Sequence, residues 1–167
     1  FKYSDDFKNL SNPCNLLKAC KNKTEIKGAI KSHISDGVSL TKYLCWLDSK
    51  SENNKLNEID VEKKLLDLRK NEERFISPSF NTIAGTGSNG AIVHYKANKV
   101  SCKKLKAGDL LLVDSGGQYL DGTTDVTRTI ALFPNEQKIQ KEKKDRFTRV
   151  LKGHIAIACS VFKKGTI

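Results

Sequence analysis

Two aspartates, Asp114 and Asp125, flank a glycine-rich reversal in DLLLVDSGGQYLDGTTDVTRT, the stretch from Asp109 to Thr129. Carboxylates forced together at the end of an apolar strand repel unless a proton or a cation lies between them, and a hard divalent metal ion is the natural occupant. Whether they meet depends on the turn. A reversal centred between Tyr119 and Leu120 sets the two aspartates face to face on neighbouring strands, a tight turn at Asp121–Gly122 shifts the register, and both geometries stay open. Thr127 and Thr129 follow Asp125 at alternate positions, so their hydroxyls can orient the carboxylates or belong to ordinary strand threonines. The plainer reading makes Asp114 a turn aspartate and pairs Asp125 with Arg128 or a lysine.

Few other residues offer comparable chemistry. GTGSNG at 85–90 lacks the Lys-Ser/Thr of a phosphate-binding loop and the strand-then-helix setting of a dinucleotide site, and it reads as a turn beside a cleft. The five cysteines are odd in number and form no C-x-x-C pair, which argues against a disulfide framework or a zinc ribbon. They read as small thiols of a reducing, cytoplasmic compartment. His33 and His154 fall in helical stretches, and His154, beside Ile155 on an apolar stripe, is expected as a hydrogen-bonded core histidine.

The elements that must position these residues follow from periodicity. From Thr24, taken as N-cap, the apolar positions Ile26, Ile30, Ile34, Val38 and Leu44 recur at helical spacing as far as Leu47. Asn57 and Asp60 form a capping pattern for a second helix, on which Val61, Leu65 and Leu68 face one way up to about Arg74. At Phe75 charge thins and short β-branched runs begin, which predicts strands near Asn81–Ile83, Ile92–Tyr95, Leu110–Ser115, Gln118–Leu120 and Asp125–Leu132. After Pro134 a third helix carries Ile139, Phe147, Val150 or Leu151, Ile155, Ala158 and Phe162 on one stripe. Two helices, several antiparallel strands and a helix make an α+β arrangement. Residues 1–23 lack this patterning and read as the tail of a preceding domain with its linker, leaving 24–167 as the start of the next.

The net charge of +11 invites a nucleic-acid partner, yet residues 24–74 are neutral, 75–137 carry +1 and 138–167 carry +7. The basic residues are 25 Lys and 5 Arg, whereas bidentate reading of phosphate or guanine is chiefly an arginine task, so no nucleic acid is expected. A nucleic-acid-binding domain would instead reveal itself by steeply salt-dependent binding. No apolar run, Leu110 to Val113 included, approaches the roughly 18 to 20 residues of a membrane span. No membrane partner is expected either. There is no Met, and FKYSDDFK has no apolar leader, so the chain is expected to be an internal piece of a longer one.

The strongest signal is a match of whole segments. NGAIVHY at 89–95 and DSGGQYLDGTTDVTRT at 114–129, supported by NKTEIKGAIKSHISDG at 22–37 and VLKGHIAIACSVFKKGT at 150–166, resemble the aminopeptidase P group of the creatinase, prolidase and methionine aminopeptidase superfamily. The resemblance implies the pita-bread fold, here an incomplete one with an antiparallel sheet and flanking helices. It also implies two divalent metal ions held by Asp, Asp, His, Glu and Glu. Asp125 corresponds to the aspartate that bridges both ions and Asp114 to the one that binds a single ion. Manganese suits such hard oxygen donors, and zinc or cobalt is compatible with mixed oxygen and imidazole ligands. Two ions about 3.5 to 4 Å apart lower the pKa of a shared water and polarise a scissile carbonyl. His94 corresponds to a histidine near the substrate that positions the peptide or steadies the tetrahedral intermediate, a role imidazole fills by donating to an oxyanion.

The activity so implied is release of the residue that precedes a proline at the second position of a peptide, by a protein that is a homodimer at full length. The remaining His, Glu and Glu belong to motifs downstream of the matching region, and no His-x-x-Glu-His or His-Glu-x-x-His pattern within the chain replaces them. Residues 1–167 alone are therefore expected to be inactive and to need the missing C-terminal half of the domain. The alternatives are a pita-bread interaction module without peptidase activity and a prolidase-type dipeptidase.

Overall fold

A computed structural model describes residues 12–163 together with 165 and 166. Residues 1–11 of the expected tail lie outside the described residues. A short helix α1 (Cys14–Ala19) leads into the long helix α2 (Lys23–Asp48). The side chain of Asn22 accepts from the backbone N–H groups of Thr24 and Glu25 at 2.9 Å, and Glu25 returns to Asn22 N at 2.8 Å. This capping box moves the N-cap from Thr24 to Asn22, because the reciprocal Glu lies three residues beyond Asn22. Helix α3 (Glu58–Lys70) begins at Asn57 with the expected return from Asp60, and ends four residues before Arg74.

The buried face of α2 corrects the sequence reading. Ile26, Ile30, Ile34 and Val38 stay exposed, while Ser32, Asp36, Ser39, Leu40, Tyr43 and Leu47 are buried. Arg69 of α3 grips Asp36 with two bonds, Nε at 2.7 Å and an Nη at 3.1 Å, and Tyr119 donates its hydroxyl to the same carboxylate at 2.8 Å. Gly28 lets the chain come close: a Cβ there would sit 2.2 Å from the carbonyl oxygen of Asp121. The helix thus docks through a paired charge and small residues, which hydrophobic periodicity does not register.

Among the described residues six strands form two antiparallel sheets of three: β1 (Phe75–Pro78), β4 (Gly117–Tyr119) and β5 (Gly122–Thr123) in one, and β2 (Ile83–Thr86), β3 (Leu110–Ser115) and β6 (Val126–Ala131) in the other, ordered β1-β4-β5 and β2-β3-β6. In β3 the side chains of Leu111, Val113 and Ser115 are buried and those of Leu110, Leu112 and Asp114 half-buried on the other face, as a two-residue period requires. Leu40, Tyr43 and Leu47 of α2, Val61 and Leu65 of α3, Ala84 of β2 and Leu111 and Val113 of β3 make the core with Leu105, Leu132 and Phe133.

Other expectations need correction. β1 and β5 add to the strands that the sequence predicts, and the strand expected near Asn81–Ile83 runs instead from Ile83 to Thr86. The stretch Ile92–Tyr95 is a turn with Val93 exposed; two β-branched residues suggested a strand that has no partner. Helix α4 (Lys141–Ala158) buries no residue and only Lys143 is half-buried, so His154 is a surface residue and not a core one, and Phe162 lies beyond the helix end. Lys143 ties α4 to the sheet by donating to Gly108 O at 2.8 Å and to Asp109 at 3.1 Å. Among the described residues no helix is long and apolar enough to cross a membrane.

Candidate active site

The reversal between β4 and β5 pairs Tyr119 with Gly122, so Leu120 and Asp121 are its two central residues. The same register continues into β3 and β6, where Asp114 stands opposite Thr127 and Ser115 opposite Val126. Thr127 donates its hydroxyl to Asp114 Oδ1 at 2.8 Å, which places both side chains on one face. Asp125 precedes β6 by one residue and is exposed; the period of two carries it to that same face, diagonal to Asp114 rather than opposite it. Thr129 lies opposite Leu112, diagonal to Asp114 on the other side of Thr127, and lines a cleft with Phe147 and Thr148 of α4.

The turn that sets this register is held from outside. Asp121 accepts from Arg74 Nε at 3.0 Å and from Ser32 Oγ at 3.3 Å, so both α2 and the segment before β1 grasp the hairpin tip. Burial pushes the Asp121 carboxyl up, and the Arg74 guanidinium with the Ser32 hydroxyl outweighs it, holding the group below the usual carboxylate range.

His94 projects from the loop beyond β2. With Phe80, Asn81, Ile83, Tyr95 and Lys96 it lines a cleft of about 260 Å³. Ile83 is the residue paired with Asp114, so this cleft adjoins the face that carries the aspartates. His94 adopts a left-handed backbone with φ 55°, a conformation that costs a non-glycine residue roughly 1 to 3 kcal/mol and persists where the surroundings hold it.

A residue that sequence reasoning passed over holds this loop. Glu58, fully buried at the start of α3, accepts from Thr86 N at 2.7 Å, Lys103 N at 3.0 Å, the Tyr95 hydroxyl at 2.7 Å and Asn89 Nδ2 at 3.0 and 3.1 Å. Burial pushes the Tyr95 phenol above its ordinary range, and the Glu58 carboxylate pushes the same way against the opposing Ser101 bond. An acidic residue in the first turn of a helix is what the helix dipole favours at the surface, so nothing in the sequence marks Glu58 as buried.

The arrangement offers two hard oxygen donors and an imidazole on adjoining surfaces. Among the described residues no cluster of three or more His, Cys, Asp or Glu side chains is placed to hold an ion. The model of metallopeptidase family M24 matches residues 16–167. The chain belongs to metallopeptidase family M24.

This M24 chain is 42% identical over 158 residues to Aminopeptidase P2 of Arabidopsis thaliana, covering 94% of the chain and 22% of that protein. It is 46% identical over 164 residues to a Laccaria bicolor protein named "Probable Xaa-Pro aminopeptidase P", covering 97% of the chain and 25% of the relative. The chain thus spans about a quarter of the length of the curated relatives it matches. Among solved structures, the X-prolyl aminopeptidase of Caenorhabditis elegans, described as a cytosolic enzyme with a di-nuclear active site, superposes with a TM-score of 0.71 at 34% identity over 79% of this chain and 21% of its own. Escherichia coli aminopeptidase P in complex with substrate gives 0.65 at 25% identity over 79% of this chain and 27% of its own. The chain carries part of the pita-bread fold, mixed α+β with antiparallel sheets and flanking helices.

Proposed function

We propose that this chain is the first half, residues 24–167, of the catalytic domain of a dinuclear metallo-aminopeptidase that removes the residue preceding a proline, with residues 1–23 ending a preceding domain. What supports the reading is Asp114, held by Thr127 on the strand face that adjoins the His94 cleft through Ile83, with exposed Asp125 one residue before β6. The donor set fits a divalent cation in part. Thr127 engages Oδ1 of Asp114 and leaves Oδ2 for an ion, while Asp125 is exposed to receive one. Asp114 would hold one ion and Asp125 both, with a histidine and two glutamates supplied from elsewhere in the parent chain. When bound, such a pair supplies Lewis acidity and lowers the pKa of a water.

The chain's own residues orient and donate. Thr127 fixes the plane of the Asp114 carboxylate, and His94 presents an N–H to the substrate carbonyl as negative charge develops there. Manganese suits carboxylate oxygens, with zinc or cobalt as the other candidates. Unpaired thiols at Cys14, Cys20, Cys45, Cys102 and Cys159 support a reducing, cytoplasmic setting, and a homodimer is the proposed assembly.

The test is metal content and turnover of an Xaa-Pro peptide by the full-length protein. Asp114→Asn and Asp125→Asn should lose metal and activity together. His94→Ala should keep metal and lose about 10²-fold or more in turnover, as when one transition-state donor is removed. Two bound metals and full activity in either Asn variant would overturn the assignment, and metal loss in His94→Ala would make that residue a ligand. Residues 1–167 alone should turn over nothing, whatever divalent ion is supplied.

A further inference from the structure

We infer that Glu58 is a positioning residue for His94, acting through both ends of the loop that carries it. The loop leaves β2 at Thr86, whose N–H Glu58 accepts at 2.7 Å. Three residues on, Asn89 donates to both Glu58 oxygens, and its carbonyl accepts Ile92 N at 3.1 Å to open the turn. That turn closes with Tyr95 N on Ile92 O at 3.2 Å, and the Tyr95 hydroxyl ends on Glu58 Oε2 at 2.7 Å. Asn89 and Tyr95 also meet each other at 2.8 Å. The residues on either side of exposed His94 are therefore fastened to one buried carboxylate, contributed by a different element, α3.

This explains how an exposed histidine keeps a left-handed backbone. Without fixed ends, the stretch from Asn89 to Tyr95 would relax His94 towards negative φ and swing its imidazole away from Ile83 and the cleft. No other residue type does what Glu58 does here. Both of its oxygens accept, and the donors converging on it are backbone N–H groups, an amide and a phenol; a glutamine would aim an NH2 at some of them. Burial without a full set of partners would be costly, so the carboxylate and the loop conformation depend on each other.

The inference rests on the reading of His94 as a substrate-side group, and two measurements separate the two claims. In the 167-residue chain, the imidazole resonances of His33, His94 and His154 are followed by NMR in Glu58→Gln and in the milder Tyr95→Phe, which removes one hydroxyl and serves should Glu58→Gln not fold. His33 and His154 are exposed on helices remote from Glu58 in sequence and act as internal controls. The expected result is displacement of the His94 resonances alone. Unmoved His94 resonances, or equal displacement of all three, would overturn the inference whatever the activity.

In the full-length protein, Glu58→Gln should lower kcat/KM by up to about 10²-fold, the scale of a group misplaced by an ångström, with metal content unchanged. His94→Ala should then add nothing to Glu58→Gln, because one acts through the other. Losses that multiply would overturn the positioning role. A wild type that turns over no peptide while His94 still moves would strike the proposed function and leave the inference standing.

Discussion

Glu58 and Asp114 are both carboxylates at the heart of the described structure, and their surroundings are opposite. Glu58 is fully buried with four residues donating to it, and Asp36 is likewise closed by Arg69 and Tyr119. Asp114 is half-buried with one hydroxyl on one oxygen, and Asp125 is exposed. A carboxylate whose lone pairs are filled by protein donors organises the fold and has no capacity left for a cation. One that keeps its lone pairs open beside another acid adds repulsion to the fold and keeps capacity for an ion.

The largest effect should come from the closed group. Asp36→Ala leaves the Arg69 guanidinium, 2% exposed, without its partner, and breaking a buried pair in this way costs about 3 to 5 kcal/mol. That is a large fraction of the roughly 5 to 15 kcal/mol that hold an ordinary domain together. Denaturant unfolding should show it, and the double variant Asp36→Leu/Arg69→Met should recover much of the loss, since it removes both charges. A single variant as stable as wild type would place this pair with the open acids and erase the contrast.

Asp121 stands between the two classes, half-buried and held by Arg74 and Ser32. Its folded pKa lies below the ordinary value, so its contribution to stability is complete above the unfolded pKa of about 3.9 and is lost as pH falls through the folded pKa. Thermal melts of wild type and Asp121→Asn should therefore differ at neutral pH and converge in strong acid. A gap that stays constant down to the most acid point would show that the carboxylate charge is not what clamps the hairpin.

How much of this was legible in the sequence differs between the same two classes. The open acids were visible, because a glycine-rich reversal between apolar strands advertises them, and only the register was undecided; the pairing lies two residues on from a face-to-face Asp114 and Asp125 and puts Thr127 opposite Asp114. The closed acids were hidden. Glu58 looks like a surface residue of a helix first turn, and Asp36 sits on the face of α2 that periodicity assigned to solvent. Asn57 and Asp60 announced α3 because capping is a local interaction readable over four residues. The packing face of α2 depends on partners 33 and 83 residues away, Arg69 and Tyr119, which no window along the chain contains. The sequence reads His94 into a strand for a related reason: its conformation is set by long-range bonds to Glu58, and the β-branched Ile92 and Val93 speak louder locally.

The smallest effect on stability should come from the open pair. Asp125→Asn removes a charge from an exposed side chain, and Asp114→Asn keeps the oxygen that accepts from Thr127, so each should change the unfolding free energy by no more than about 0.5 kcal/mol in metal-free buffer. The sign should lean towards stabilisation, because each change relieves repulsion between two acids on one face. Millimolar manganese should then reverse the order. An ion that binds only the folded chain raises the melting temperature by mass action, and it can do so only where both carboxylates remain. Wild type should gain a melting-temperature increment with the ion that both Asn variants lack, although the variants are at least as stable without it. Equal increments in all three chains would place the ion elsewhere. A clear loss of stability in metal-free Asp114→Asn would mean that this aspartate belongs with Glu58 and Asp36 among the acids that hold the fold.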